Sequence, residues 1–227
     1  IYYSLKNNFY LNVIQFKIQP NYLPGQQNVT HDQFETIALS QLEELFSFYG
    51  NYTEFWFDGG TSDMVERVKN LINQYQQDMV VYNGQGVTNN VIRWVGSESG
   101  MIKGPIWSNG CEEQGQGEPN ATSFCPAGCD TTLQDNDNWF YVNGDNIRSL
   151  QTLIEIYHDT VGNNGVLELD FAIDTTGNVH LNQMERYKQF GDWIRGCYDN
   201  PVNNTKGTIS NMNGVLQLEA NKEFDRE

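Results

Sequence analysis

The strongest constraint on this chain is an alternation repeated along most of its length: a short apolar run, a Gly- or Asn-marked turn, then a longer amphipathic stretch. Ile1-Tyr-Tyr-Ser reads as a strand cut at its beginning. Thr30-x-x-Gln33 has the form of a capping box and opens a segment with Phe34, Ile37, Ala38, Leu42, Leu45 and Phe46 at helical spacing, closed by Gly50. Residues 53–58 are strand-like, and Ser62 is placed to cap a second helix carrying Val65, Val68, Leu71, Ile72 and Tyr75. Met79–Tyr82 and Ile92–Val95 read as short strands, ended by Asn83-Gly84 and Gly96. The stretch over roughly 97–138, rich in Gly, Asn, Pro and Cys, reads as one long loop. Beyond it, Ile147, Leu150, Leu153, Ile154, Tyr157 and Val161 mark a third helix. Val166–Ile173 is the strongest strand, and Leu181, Met184, Tyr187, Phe190 and Ile194 mark a last helix. Strands joined through helices run parallel, so the pattern predicts an α/β chain whose sheet is a barrel or a doubly wound layer.

Composition narrows the partners. The formal charge is −16, from 29 acidic and 13 basic residues, and no Lys/Arg run occurs anywhere. Nucleic acid and anionic membrane surfaces both require clustered cations, so neither is expected as a partner. No stretch approaches the ~20 apolar residues of a membrane-spanning helix. The chain opens on Ile1, and any targeting segment is expected to lie outside it. Four sequons, at Asn28, Asn51, Asn120 and Asn203, favour a glycoprotein of the secretory pathway, extracellular or lysosomal/vacuolar. Cys111, Cys125, Cys129 and Cys197 fit an oxidising compartment and a structural disulfide, whose connectivity spacing does not reveal.

Reactive side chains of a parallel barrel collect where strands end and loops begin. TEFWFDGG delivers Asp58 to such a point and VIRWVGSESG delivers Glu98 to another, which predicts both carboxyls at one rim. A carboxylate at the tip of an apolar run is costly unless it is paired or has a task. Two carboxyls facing each other across a pocket suit glycosidic bond cleavage, one attacking or stabilising the anomeric carbon and the other protonating the leaving oxygen. Phe55, Trp56, Phe57 and Trp94 would offer apolar faces to a sugar ring and lower the local dielectric, separating the two pKa values. Plainer readings stand beside this one. Asp before Gly-Gly is a common turn residue, and Glu98 between Ser97 and Ser99 is ordinary loop polarity. His31, His158 and His180 are scattered, and Cys125-Pro-Ala-Gly-Cys129 lacks zinc or redox spacing, so no metal or cofactor is expected. Neither a nucleophile elbow nor a phosphate-binding glycine fingerprint is present.

Four segments in order, ELFSFYGNYTEFWFDGG, VIRWVGSESG, CDTTLQDNDNWFYV and VLELDFAIDTTGNV, resemble the α-L-fucosidases of glycoside hydrolase family 29. The likeness is nearest to the plant and bacterial branch that prefers α-1,3/1,4-linked fucose. RYKQFGDWIRGCYDNP is similar to the segment that leaves the barrel in those enzymes, so the resemblance spans about residues 1–200. It implies that residues 1–198 are the C-terminal portion of a catalytic (β/α)8 barrel whose first strands are absent. Residues 199–227 would be a linker and, at GVLQLEANKEF, the first strand of a C-terminal β-sandwich. It also implies a retaining double displacement, with Asp58 as nucleophile at the W-F-D-G position. Glu98, the middle Glu of G-S-E-S-G, would be the acid and then the base. Trp56, Trp94, Trp107 and Trp139 are the candidate sugar-binding residues, Trp139 matching the family's G-W-F-Y-H site. The sequence departs from the family at Asn138 and Val142, which replace that Gly and His, and no His-His-Asp-Gly motif occurs. The implied partners are a fucosylated glycan and the missing N-terminal part of the barrel, on the same protein or a second chain. Without that part the chain is not expected to fold or act alone, since a partial barrel leaves two sheet edges and an interior uncovered. The alternative is a non-catalytic, secreted glycan-binding or structural glycoprotein on the same scaffold.

Overall fold

Six strands form one wholly parallel sheet whose spatial order equals their chain order: β1 (Val13–Lys17), β2 (Glu54–Asp58), β3 (Val80–Tyr82), β4 (Val91–Trp94), β5 (Ala127–Thr132) and β6 (Gly165–Asp170). The structure, a computed structural model, describes residues 13–17, 30–84, 86–111, 115–136, 138–199, 208–212 and 215–219. The strand expected at Ile1-Tyr-Tyr-Ser lies outside them. Helix α1 (His31–Phe48) follows β1, α2 (Val65–Tyr75) follows β2, and α3 (Leu150–Thr160) joins β5 to β6. Helix α4 (Leu181–Tyr198) comes after β6.

Local chemistry sets the boundaries. The Thr30 side chain accepts from the Gln33 amide at 3.3 Å, and Gln33 Oε1 accepts from the Thr30 amide at 3.0 Å, completing the capping box of α1. Ser149 caps α3 by accepting from the Thr152 amide at 3.0 Å. Helix α2 departs from expectation: a 3-10 turn over Ser62–Met64 precedes it, and Met64 is its N-cap, without a side-chain capping bond. The stretch over 97–138 departs further, because β5 lies inside it. Its sequence, AGCDTT, lacks the aliphatic run that marks a strand, yet all six residues are buried between its neighbours.

Alternation along β2 divides its side chains between two environments. Phe55 and Phe57 face outward, fully buried beneath α1 and α2 with Leu42, Phe46, Val68, Ile72 and Val81. Phe46 meets Phe55 edge-on, with ring centroids 5.0 Å apart. Each such side chain contributes about 1.5–3 kcal/mol by leaving water. The expectation that Phe55 and Phe57 flank a sugar pocket is therefore corrected: they belong to the layer between sheet and helices. Buried Gln76 ties this layer together, donating to the carbonyls of Phe46 at 2.7 Å and Gly50 at 2.9 Å while accepting from the Tyr52 amide at 2.9 Å.

The other face carries Trp56, Tyr82 and Ile92, with Val80, Trp94 and Val166 against them. Trp56 and Tyr82 pack with centroids 4.3 Å apart. On this face Glu54 of β2 hydrogen-bonds Glu168 of β6. Four strand intervals of a flat sheet would separate β2 from β6 by about 19 Å. The sheet therefore curls until its second and sixth strands face one another, as in part of an α/β barrel. Strands β1 and β6 are its two ends.

Residues Ile1–Arg186 and Tyr187–Glu227 separate into two units. In the second, Phe190 stacks on Trp193, and β7 (Thr208–Met212) pairs antiparallel with β8 (Val215–Glu219). No helix among the described residues is long and apolar enough to cross a membrane.

Candidate active site

The C-terminal ends of β2 and β4 bring two carboxyl groups to one rim, and β5 adds a third from within the sheet. Asp58 is the last residue of β2, and the chain then turns through Gly59 and Gly60 at φ 82° and 80°, where glycine is favoured. The Gly60 amide closes the turn on the Phe57 carbonyl at 3.0 Å. Glu98 stands four residues beyond Trp94, exposed on the loop GSESG. Ser97 and Ser99 hydroxyls bond at 2.8 Å, and the Gly100 amide donates to the Asp130 carbonyl at 3.0 Å, which docks the loop on β5. Thr160 donates its hydroxyl to the Gly100 carbonyl. A side chain at Gly100 would meet Ile156 and Thr131 at 2.8 and 2.9 Å, so the approach itself requires glycine.

Asp130 stands in β5, two residues before its end. It is 4% exposed and accepts from Trp94 Nε1 at 2.7 Å. Burial pushes its carboxyl up to about 7; the Trp94 bond pulls down, and the charges of Glu98 and Asp58 push up. Asp58 and Glu98 thus both act on one buried carboxyl, which puts all three within electrostatic reach.

A cavity of about 390 Å3 lies beside Glu98, lined also by Met101, Thr132, Trp139, Arg148 and Ile156. The Trp139 loop is hung from the buried Gln134 side chain, which donates to the carbonyls of Asn138 and Phe140 and accepts from the Val142 amide at 3.2 Å. Asn138 itself donates to Asp145 at 2.8 Å. The cavity unites Glu98 with Trp139; Asp58 is not part of its lining. Trp94 is the partner of Asp130, and Trp56, 6% exposed, packs in the interior. Trp107 exposes its ring on a loop pinned from within by Arg93. That fully buried guanidinium donates to the carbonyls of Gly115, Cys125 and Trp107, and a disulfide joins Cys111 to Cys125 across the same loop.

A family profile described as α-L-fucosidase matches residues 1–197. The chain belongs to the α-L-fucosidase family. A protein of Oryza sativa subsp. japonica that carries an α-L-fucosidase 1 name is 28% identical over 196 residues, covering 78% of this chain and 37% of that one. The α-L-fucosidase 1 of Arabidopsis thaliana is 24% identical over 186 residues, covering 74% and 36%. The chain therefore spans little more than a third of the length of these relatives. The crystal structure of a Ruminococcus gnavus GH29 fucosidase with fucose superposes with a TM-score of 0.66 at 18% identity, over 83% of this chain and 45% of that one. At that identity the likeness concerns the fold alone.

On the inner face of this fucosidase-family sheet lies a group of acids that sequence reading did not single out, running from Glu54 at the start of β2 to Asp170 at the end of β6. Glu54, Glu168 and Asp170 join Asp130 inside the curl. Burial lifts Glu54 to about 7, eased by its bond to Glu168 and aggravated by Asp170. Glu168 and Asp170 lie well above the usual carboxylate range, burial being the largest cause and neighbouring carboxyls adding to it. A signal does exist: in VLELD, alternation puts Val166, Glu168 and Asp170 on one face. Elsewhere, His31 Nε2 lies 3.4 Å from both buried Glu35 and exposed Asp63, but Arg67 already pairs Glu35 at 2.6 Å, so this group is an ion-pair network. Cys129 is buried, and burial pushes its thiol up to about 11, which suits packing rather than reactivity. Asn51 and Asn120 are exposed; Asn28 and Asn203 lie outside the described residues.

Proposed function

We propose that the full-length protein is a retaining α-L-fucosidase that hydrolyses α-L-fucosyl linkages of glycans. Asp58 acts as the nucleophile, and Glu98 as the acid that protonates the leaving oxygen, then as the base that activates water. One observation supports this reading: Asp58 ends β2, Glu98 follows β4 two strands along, and both act on Asp130. A retaining mechanism needs two carboxyls about 5–5.5 Å apart on opposite sides of the scissile bond. Trp139 would stack on a sugar ring beside Glu98, and Trp107 would extend the wall from its pinned loop. Trp94 would serve through Asp130, and Trp56 from beneath. The remaining barrel strands come from the N-terminal part of the protein, residues 1–198 forming the C-terminal barrel portion. The β7–β8 pair within 199–227 would open a β-sandwich. The sequons and the disulfide support passage through the secretory pathway.

A second reading, a non-catalytic glycan-binding protein, draws on one observation: the cavity beside Glu98 and Trp139 does not include Asp58. The test is release of fucose from a branched, fucosylated oligosaccharide by the full-length protein and by Asp58→Ala and Glu98→Ala. Hydrolysis that both substitutions abolish fits the enzyme. Glycan binding without hydrolysis fits the second reading, and an Asp58→Ala rate equal to the parent's would end the proposed mechanism.

A further inference from the structure

Three strands send carboxyls into one space inside the curl. Glu54 arrives from β2, Asp130 from β5, and Glu168 and Asp170 from β6, with the Tyr82 hydroxyl from β3. Glu54 is 5% exposed and Tyr82 0%, and Glu54 Oε1, Tyr82 OH and Asp170 Oδ2 are buried without a hydrogen-bond partner. One such orphan costs about 1–3 kcal/mol, and more when charged. The Tyr82 hydroxyl can itself donate, but the two carboxyl oxygens mark a place shaped for a donor.

The surrounding elements do not supply one among the described residues. The groups acting on Glu168 and Asp170 are all carboxyls, and none is a cation. Arg93 is spent on three loop carbonyls, and Arg148 Nε donates to the Thr132 carbonyl at 2.7 Å. Lys17 ends β1, at the opposite edge of the sheet order from β6. Strands β1 and β6 are the ends of the sheet order, so a closed barrel must interpose further strands between them.

We propose that the barrel strands closing the gap between β6 and β1, contributed by the same polypeptide, bring a basic hydrogen-bond donor, an Arg, Lys or His side chain, onto Asp170 and Glu168. The pairing sets the register in which the two parts of the barrel meet, because a strand shifted by one residue would turn the donor away. The family's length leaves room for such strands, since this chain covers 37% of its rice relative. The inference rests on the partial-barrel reading but not on fucose hydrolysis.

The experiment compares thermal unfolding of the full-length protein and Asp170→Asn between pH 5 and 8. A basic partner keeps Asp170 ionised across this range, so the variant strands a buried cation and its Tm falls by roughly 5–10 °C at pH 7–8, a deficit that does not ease toward pH 5, where that cation cannot shed its proton. A variant Tm equal to or above the parent's at pH 7–8 overturns the proposal, because a neutral, unpaired acid loses nothing on becoming an amide. Where Asp170→Asn does not accumulate folded, Glu168→Gln takes its place. A crystal structure of the full-length protein decides the same question by distance. A Lys, Arg or His nitrogen of the closing strands within ~4 Å of either carboxyl supports the pairing; its absence, or supply of that nitrogen by Lys17, overturns it. No arm reads fucose release, so failure of the hydrolase assignment leaves the result intact.

Discussion

Phe55 and Phe57 on one side of β2, and Glu54, Trp56 and Asp58 on the other, share five consecutive residues yet meet different physical demands. The outward pair lies in an apolar layer of aliphatic and aromatic side chains, where packing shape decides most of the contribution of each side chain. The inward set shares its space with carboxyls from β5 and β6, where burial works against ionisation and every oxygen needs a donor. The outer face is a solved packing problem. The inner face carries electrostatic cost that only a task or a partner offsets, and such cost gathers at functional sites. One strand therefore serves both stability and chemistry, and adjacent substitutions should separate them.

The sharpest separation is between Asp58 and Phe57. In the full-length protein, Asp58→Ala is expected to lower the rate of fucose release roughly ten-thousand-fold, because no other group can take over covalent attack. Its unfolding midpoint should stay near the parent's. Phe57→Ala should do the reverse: about 3–5 kcal/mol of stability lost to a cavity beneath α1 and α2, with kcat of the folded fraction close to the parent's. Denaturant melts and initial rates on both variants decide it. A Phe57→Ala enzyme of normal stability and lost activity would erase the distinction between the faces.

A smaller effect concerns the loop between β4 and β5. The Cys111–Cys125 bond closes a separation of 14 residues, so removing it as a Cys111→Ser/Cys125→Ser pair is expected to cost about 3 kcal/mol through loop entropy. Arg93 would still hold the loop through its three carbonyls, so the outer-face core should unfold with unchanged cooperativity. Chemical denaturation with and without reductant measures this. A loss well under 1 kcal/mol would mean that Arg93 alone fixes the loop.

The same contrast explains what can be read from sequence. Outer-face positions follow periodic patterns, so α1 with its Thr30–Gln33 box, the Phe55–Phe57 strand and β6 are legible in the residues alone. The rim carboxyls Asp58 and Glu98 stand at strand ends and are legible as candidates. β5 is not, because AGCDTT has no aliphatic run; its burial comes from strands on both sides, which local composition does not record. Phe55 and Phe57 read as pocket walls because hydrophobicity says that a side chain is covered, not by what. Ser62 reads as a cap because residue type carries no dihedral angles, and a 3-10 turn intervenes. The interior acids escape notice for a related reason. Glu54 and Glu168 lie more than a hundred positions apart, and only the curl of the sheet makes them neighbours.

The least effect, and the one that bears most directly on the inner face, is that of Asp130→Asn. The parent carboxyl sits at about 7 when folded, against 3.8 for the free side chain, with burial the first cause. Between those values the folded state holds a proton that the unfolded state has released, so stability falls as pH rises through the window and levels off above about 7. Asparagine cannot ionise, and its amide oxygen can still accept from Trp94 Nε1. The variant should match the parent near pH 4 and exceed it by roughly 1–3 kcal/mol at pH 8. Urea melts at a series of pH values give the curve. A gain that does not vary with pH would place the benefit in packing, and the inner face would then carry no more electrostatic cost at this position than the outer one.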